Sequence, residues 1–178
     1  MIYIIFFMYY IVGLGNPGEE YKLSRHNTGR IALANFVAGK NTKVIFPDTF
    51  MNNSGKVLKP LIKTKKAAHN LIVVHDDLDL PLGKFKIAFN RDSAGHKGVE
   101  SIIINIKTKE FIRIRVGISF VTPSGKIKKP EAKKVIDFII GEFRPKELVI
   151  IKKISKKIAE AIEMIINEGL QKAMNVYN

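Results

Sequence analysis

Short runs rich in Ile, Val, Tyr and Phe, each stopped by turn-forming residues, recur along this chain with room for a helix between most of them. They fall at residues 9–14, 43–46, 71–74, 84–89 and 111–118, and apolar runs of this length bounded by turn signals read as buried strands. Helix-like stretches lie between them at about 27–37, 55–65 and 96–105. Rough alternation of strand and helix predicts a layered α/β domain. Beyond Pro145, Leu148, Ile151, Ile154, Ile158, Ala161, Ile162, Ile165 and Ile166 recur at the spacing of a one-sided helix over 145–170, opened by Pro145 and closed by Gly169. Its other face carries Lys146, Lys152, Lys153, Lys156 and Lys157. Such a run is either the wet face of the helix or a track for phosphates.

The chain has 178 residues with no internal repeat, low-complexity stretch or long Ser/Pro/Gly linker, so a single domain over 1–178 is expected. A hydrophobic content of 46% supplies a core, which excludes disordered and collagen-like classes. With no cysteine, a disulfide framework, a thiolate nucleophile and cysteine-ligated zinc are excluded. A reducing compartment is permitted, and the cytoplasm is the expected location. The apolar opening, residues 1–12, is shorter than the roughly 18 residues a membrane span needs and lacks a basic lead, so no membrane attachment is expected. Its later half reads as the first strand, and residues 1–7 find no role.

Thirty Lys and Arg against sixteen Asp and Glu give a net charge of +14. On so small a domain this surplus favours polyanions, because phosphates bound by Lys and Arg release their counterions. Nucleic acid is the first candidate partner; surface lysine that merely solvates the protein is the alternative.

Five polar segments interrupt the apolar pattern. Gly13-Leu14-Gly15-Asn16-Pro17-Gly18 follows the first strand but is not a dinucleotide loop. Pro17-Gly18 makes a turn where a helix would have to begin, and Glu19-Glu20 would repel pyrophosphate. Asn16 at the strand exit is either a turn residue or a side-chain amide able to donate and accept. Ser24-Arg25-His26-Asn27 enters a helix, and His26 is a cap, a surface residue or a proton acceptor near neutrality. In the segment from Phe46 to Gly55, Asn53 or Ser54 suits an N-cap, leaving the Asn52 amide free to meet a carbonyl gaining negative charge. The strand at 71–74 ends in His75, Asp76, Asp77 and Asp79. Clustered Asp raises a divalent-metal site, but no Glu or His spacing completes one; the alternative is an Asp that receives the Nδ1–H of a histidine and fixes its tautomer. Ser93-Ala94-Gly95-His96-Lys97-Gly98 leads into a helix and serves a turn or holds an anion.

In order, G-L-G-N-P-G-x-x-Y-x-x-S-R-H-N, P-x-T-F-M-N-x-S-G, H-D-D-L-D-L-P-x-G, A-G-H-K-G and R-V-G-I resemble the bacterial-type peptidyl-tRNA hydrolase family, from about residue 11 to the end. The resemblance implies a monomeric three-layer α/β fold with a mixed, mostly parallel sheet between helices. It also implies hydrolysis of the ester joining a stalled peptide to the 3′ end of tRNA, which recycles the tRNA. His26 matches the family's catalytic histidine and Asp76 its carboxylate partner, while Asn16 and Asn52 match the amides that line the site. Tyr21, Met51, His96 and Lys97 fall among the substrate contacts. Lys84, Lys86 and Arg113 lie in stretches where the family holds tRNA phosphate; Arg115 belongs there too unless it is structural.

An aminoacyl ester is already activated, so His26 oriented by Asp76 can deprotonate water with no metal or cofactor, and Asn52 or Asn16 can donate to the oxyanion. Spacing does not assign the two amides. Two departures from the family pattern stand out. Lys97 replaces the usual Asn, removing an acceptor. The segment before Pro47 is short, which predicts a smaller sheet edge or a more open cleft. A catalytically idle RNA-binding module of the same fold is the main rival, and a small-molecule hydrolase or nucleotide-binding domain the third reading.

Overall fold

The structure, a computed structural model, describes residues 8–178; the apolar opening at 1–7 lies outside them. The strands are β1 (Tyr9–Gly13), β2 (Thr42–Ile45), β3 (Leu71–Pro81), β4 (Phe85–Phe89), β5 (Ile112–Val121) and β6 (Ile127–Lys128). The helices are α1 (Thr28–Leu33), α2 (Ser54–Leu58), α3 (Lys65–His69), α4 (Lys97–Ile106), α5 (Val135–Ile140), α6 (Pro145–Glu168) and α7 (Leu170–Tyr177).

The sheet runs in the order β2-β1-β3-β5-β4, with β6 paired to β5. Pairs β1/β2, β1/β3 and β3/β5 are parallel, whereas β4 and β6 lie antiparallel to β5. The sheet is therefore mixed and mostly parallel. Alternate residues of β3 serve opposite faces. Ile72 and Val74 join Ile11, Ile112 and Ile114 under α1, α6 and α7, and Leu71 and Val73 join Val12 under α2, α3 and α4. A central strand covered on both sides must be apolar at every position, which is why 71–74 reads as an unbroken run. Among the described residues no helix is long and apolar enough to cross a membrane.

Several boundaries differ from the sequence expectation. β3 does not stop at Val74: pairing with β5 carries on through Asp76 and Asp77 and, after an irregularity, to Pro81 opposite Ser119. The acids stay in the sheet because distant groups satisfy them. Helix α2 ends at Leu58 because Pro60 removes an N–H and disfavours helical backbone just before it. Thr64 then caps the separate α3, its hydroxyl accepting from the Ala67 N–H at 3.1 Å. Gly169, at a φ of 94°, divides the last helical stretch into α6 and α7.

β2 is a short edge strand and the sole one between α1 and Pro47, in line with the shortened segment. From β1 the chain moves outward to β2 and then crosses back to place β3 on β1's other side. Parallel sheets open a crevice at such a reversal, beyond the carboxyl ends of the flanking strands. Asn16 follows the end of β1, and Asp76 lies just past the last β1–β3 pair, Gly13 with Val74.

Candidate active site

Asn16 is held at the crevice by a closed set of bonds. Its N–H donates to Asn27 Oδ1 at 2.8 Å, and Asn27 Nδ2 donates back to its carbonyl at 2.9 Å. Its side-chain Oδ1 accepts from the Met51 N–H at 2.8 Å. With Oδ1 committed, Asn16 Nδ2 has no protein partner among the described residues, so the amide presents donors to whatever enters. Asn27 is a support that the sequence did not single out, its place in the S-R-H-N motif being its only signal; Met51, expected as a substrate contact, contributes its backbone N–H.

His26 occupies a 3₁₀ turn, Arg25–Asn27, that leads into α1. A Cβ at Gly29 would collide with the Val74 carbonyl and the Leu14 nitrogen, so glycine lets this turn approach β1 and β3 closely. The turn is also clamped from behind. Buried Arg25 donates to Glu147 Oε2 at 2.8 Å and to the Gly141 and Glu142 carbonyls at 3.2 and 2.6 Å. Its guanidinium lies 4.7 Å from the Phe138 ring centre and 5.2 Å from that of Phe143.

His26 Nδ1 lies 2.9 Å from Asp76 Oδ1 and 3.1 Å from Oδ2. Burial opposes a proton on His26, but the Asp76 charge and hydrogen bond outweigh it and raise its pKa above 6.5. Burial likewise opposes ionisation of Asp76; His26 and His96 overcome it and hold the carboxyl far below the usual carboxylate range. An ionised Asp76 only accepts, so neutral His26 carries its proton on Nδ1 and turns a bare Nε2 outward. His26, Asp76, His96 and Lys97 line a cavity of about 340 Å³ roofed by Val135 and Ile139 of α5. A second hollow of about 1030 Å³ reaches from Asn16 and Asn27 along α1 to Lys152 and Lys156.

A third histidine, His75, packs edge-on against His96, with ring centres 4.7 Å apart. His75 is fully buried; burial, then the charges of His96 and Arg113, push its pKa well below 6.5. Its Nδ1 donates to the Asp76 carbonyl at 2.7 Å.

The expected substrate contacts fall into three groups. Tyr21 meets Phe50 edge to face at 6.4 Å, and the buried Met51 and exposed Asn52 follow Phe50 directly. The Asn52 side chain has no protein hydrogen bond among the described residues. Lys97 points outward to Glu100 at 2.9 Å. His96, expected to touch substrate, has both ring nitrogens engaged, by Asp76 and by the start of α4. Of the residues expected on phosphate, Lys86 stands opposite Arg115 across the β4–β5 ladder, and the Lys84 carbonyl receives the Gly117 N–H at 2.8 Å. Arg115 is also bound to Asp77 at 2.6 Å. Arg113 is only 3% exposed, with Nε unpartnered, and burial followed by the Arg115 charge lowers its pKa to about 10. It faces the interior rather than a surface that RNA would reach.

His26, Asp76 and His96 offer ligand atoms within 4.8 Å of one another, the one such grouping among the described residues. The donor set does not suit a cation. His96 Nδ1 accepts from two backbone N–H groups, which puts its proton on Nε2, the atom that would have to bind the ion.

The fold is thus a mixed, mostly parallel α/β sheet that carries a buried histidine–carboxylate pair where its central strand β3 runs past the end of β1. A family model described as peptidyl-tRNA hydrolase matches residues 10–44 and 34–178. The peptidyl-tRNA hydrolase of Thermodesulfovibrio yellowstonii is 39% identical over an alignment of 197 positions, covering 96% of this chain and 99% of the relative. That of Fervidobacterium nodosum is 40% identical, covering 94% of each. The crystal structure of the Acinetobacter baumannii peptidyl-tRNA hydrolase shares the fold at a TM-score of 0.83 and 23% identity, over 96% of this chain and 94% of that one. The chain belongs to the peptidyl-tRNA hydrolase family, a family of enzymes.

Proposed function

We propose that this chain cleaves the ester between peptide and tRNA by water that His26 activates. The observation that carries the reading is the buried His26–Asp76 contact at 2.9 Å, which leaves the Nε2 of neutral His26 without a proton beside the cavity that His26 and Asp76 line. A water between Nε2 and the ester carbonyl loses its proton to His26 as oxygen attacks carbon. The imidazolium formed is stabilised by ionised Asp76 and then returns the proton to the departing ribose oxygen. General-base action of this kind is worth about 10² to 10⁴ in rate. Asn16 is the preferred oxyanion donor, since its Nδ2 is free while Oδ1 is tied to Met51. Exposed Asn52, with Tyr21 and Met51, contacts the substrate near the ester. Lys84, just before β4, and Lys86, within it, take tRNA phosphate, and Lys97 can reach another. The enzyme works without metal or cofactor, as a monomer in the cytoplasm.

The test is single-turnover release of peptide from purified peptidyl-tRNA, with RNA affinity measured alongside. Hydrolysis with affinity that falls steeply with salt is expected. Tight RNA binding with no peptide release would make the chain an idle RNA-binding module. Affinity that ignores salt would point to a small-molecule substrate.

A further inference from the structure

Asp76 accepts from two histidines at once, and the reaction just described uses only one. His96 stands at the N-cap of α4, where Nδ1 accepts from the Gly98 and Val99 N–H groups at 3.2 and 3.3 Å. A ring nitrogen that accepts carries no proton, so the proton is on Nε2, which donates to Asp76 Oδ1 at 3.0 Å. His26 Nδ1 donates to that same oxygen at 2.9 Å. One carboxylate is thus divided between a histidine that must gain and lose a proton on Nε2 and one whose tautomer a helix terminus fixes.

We propose that His96 is a positioning residue that sets the basicity of His26: by occupying Asp76 Oδ1 it weakens the carboxylate's hold on the His26 imidazolium. More of His26 then stays unprotonated, and able to act as a base, near neutral pH. This deepens the hydrolase reading and depends on it only for the consequence in rate. The packing supports a fixed rather than a passing contact. The His96 side chain is buried, its ring centre lies 4.8 Å from that of His26 and 4.7 Å from that of His75, and a Cβ at Gly98 would crowd both Met51 and His96.

The other charged groups around the pair are mostly neutralised by partners outside it. Asp77 and Asp79 of β3 hold Arg115 and Lys129, and Lys97 holds Glu100. His75, also of β3, is bound to the Asp76 carbonyl, and Arg113 of β5 acts on His75. His96 is the group that competes with His26 for the Asp76 side chain itself.

Two substitutions separate tuning from mere support, because each keeps one of the two ring functions. Asn places an acceptor near the Nδ1 position, preserving the cap, but is too short to reach Asp76. Gln reaches as far as Nε2 and can donate to Asp76, but gives up the cap. The readout is the His26 titration in free protein, followed by NMR of the imidazole Cε1–H, with thermal midpoints and the pH dependence of single-turnover hydrolysis. In the His96→Asn variant the His26 midpoint should rise by about 0.5–1 pH unit, the size expected for one hydrogen bond to a charged group. Hydrolysis on the acid side should then fall about 3- to 10-fold, with the high-pH plateau kept. The His96→Gln variant should keep the wild-type midpoint while melting at lower temperature. An unmoved midpoint in His96→Asn, or an equal rise in both variants, would overturn the proposal. A shifted midpoint in a protein that cleaves no peptidyl-tRNA would uphold the tuning and refute the hydrolase reading instead.

Discussion

Replacing Asp76 by Asn tests the geometry that the proposed chemistry depends on, because the change removes a charge and reverses a hydrogen bond at nearly constant shape. Asp76 Oδ1 faces both His26 and His96, whereas Oδ2 faces His26 alone, at 3.1 Å. In Asp76→Asn the amide carbonyl keeps the His96 bond, and the NH₂ group falls at the Oδ2 position and donates to His26 Nδ1. His26 must then carry its proton on Nε2, the atom meant to receive one from water. Loss of the base should cost about 10² to 10⁴ in single-turnover rate. The carboxylate also raises the His26 pKa, so its removal should lower the acid limb of any remaining activity by about 1–3 pH units, the usual effect of an opposite charge within 4–6 Å. Rates measured from pH 5 to 9, with NMR of the His26 ring nitrogens, report both effects. A rate loss with no movement of the His26 titration and no exchange of tautomer would refute the reasoning, since Asp76 would then act on something other than His26.

Asn16→Asp keeps the acceptor for the Met51 N–H but removes the Nδ2 donor; a fall in rate on the order of 10² to 10³ with an unchanged melting temperature is expected. Lys86→Ala should weaken tRNA binding and reduce the slope of log affinity against log salt by about one, as filter binding across a salt series would show. Buried neutral His75 has a folded pKa below the unfolded value of 6.5, so the unfolded state takes up its proton first as pH falls. Stability from this group is complete above pH 6.5 and is lost as pH drops below it, by up to about 1.4 kcal/mol per pH unit. Urea unfolding of His75→Gln between pH 5 and 7 should show a correspondingly shallower dependence than wild type.

Much of the frame was readable in the residues because local pattern and tertiary role agree there. The runs at 9–14 and 84–89 became β1 and β4 within a residue of their ends, since both are apolar stretches between turn formers. His75, Asp76 and Asp77 looked like a strand end because polar residues usually leave a sheet. The two acids stay in β3 because His26, His96 and Arg115, distant in sequence, supply partners that no local window contains. β6 has two residues and α5 six, too few for a period to show. The same logic holds at the site. His26 and Asp76 stood out by residue type and resemblance, but the Arg25–Glu147 clamp joins residues 122 apart in sequence. The N-cap role of His96 was hidden because histidine does not announce a cap as Ser or Asp does.

The central claim is that His26 acts on water and not on RNA affinity or folding. The most direct measurement is single-turnover cleavage of peptidyl-tRNA by His26→Ala, with the dissociation constant for the same tRNA taken under identical salt. Peptide release should fall by about 10² or more while affinity and melting temperature stay within twofold and a few degrees of wild type. Full activity in the variant, or equal losses of cleavage and RNA binding, would contradict it.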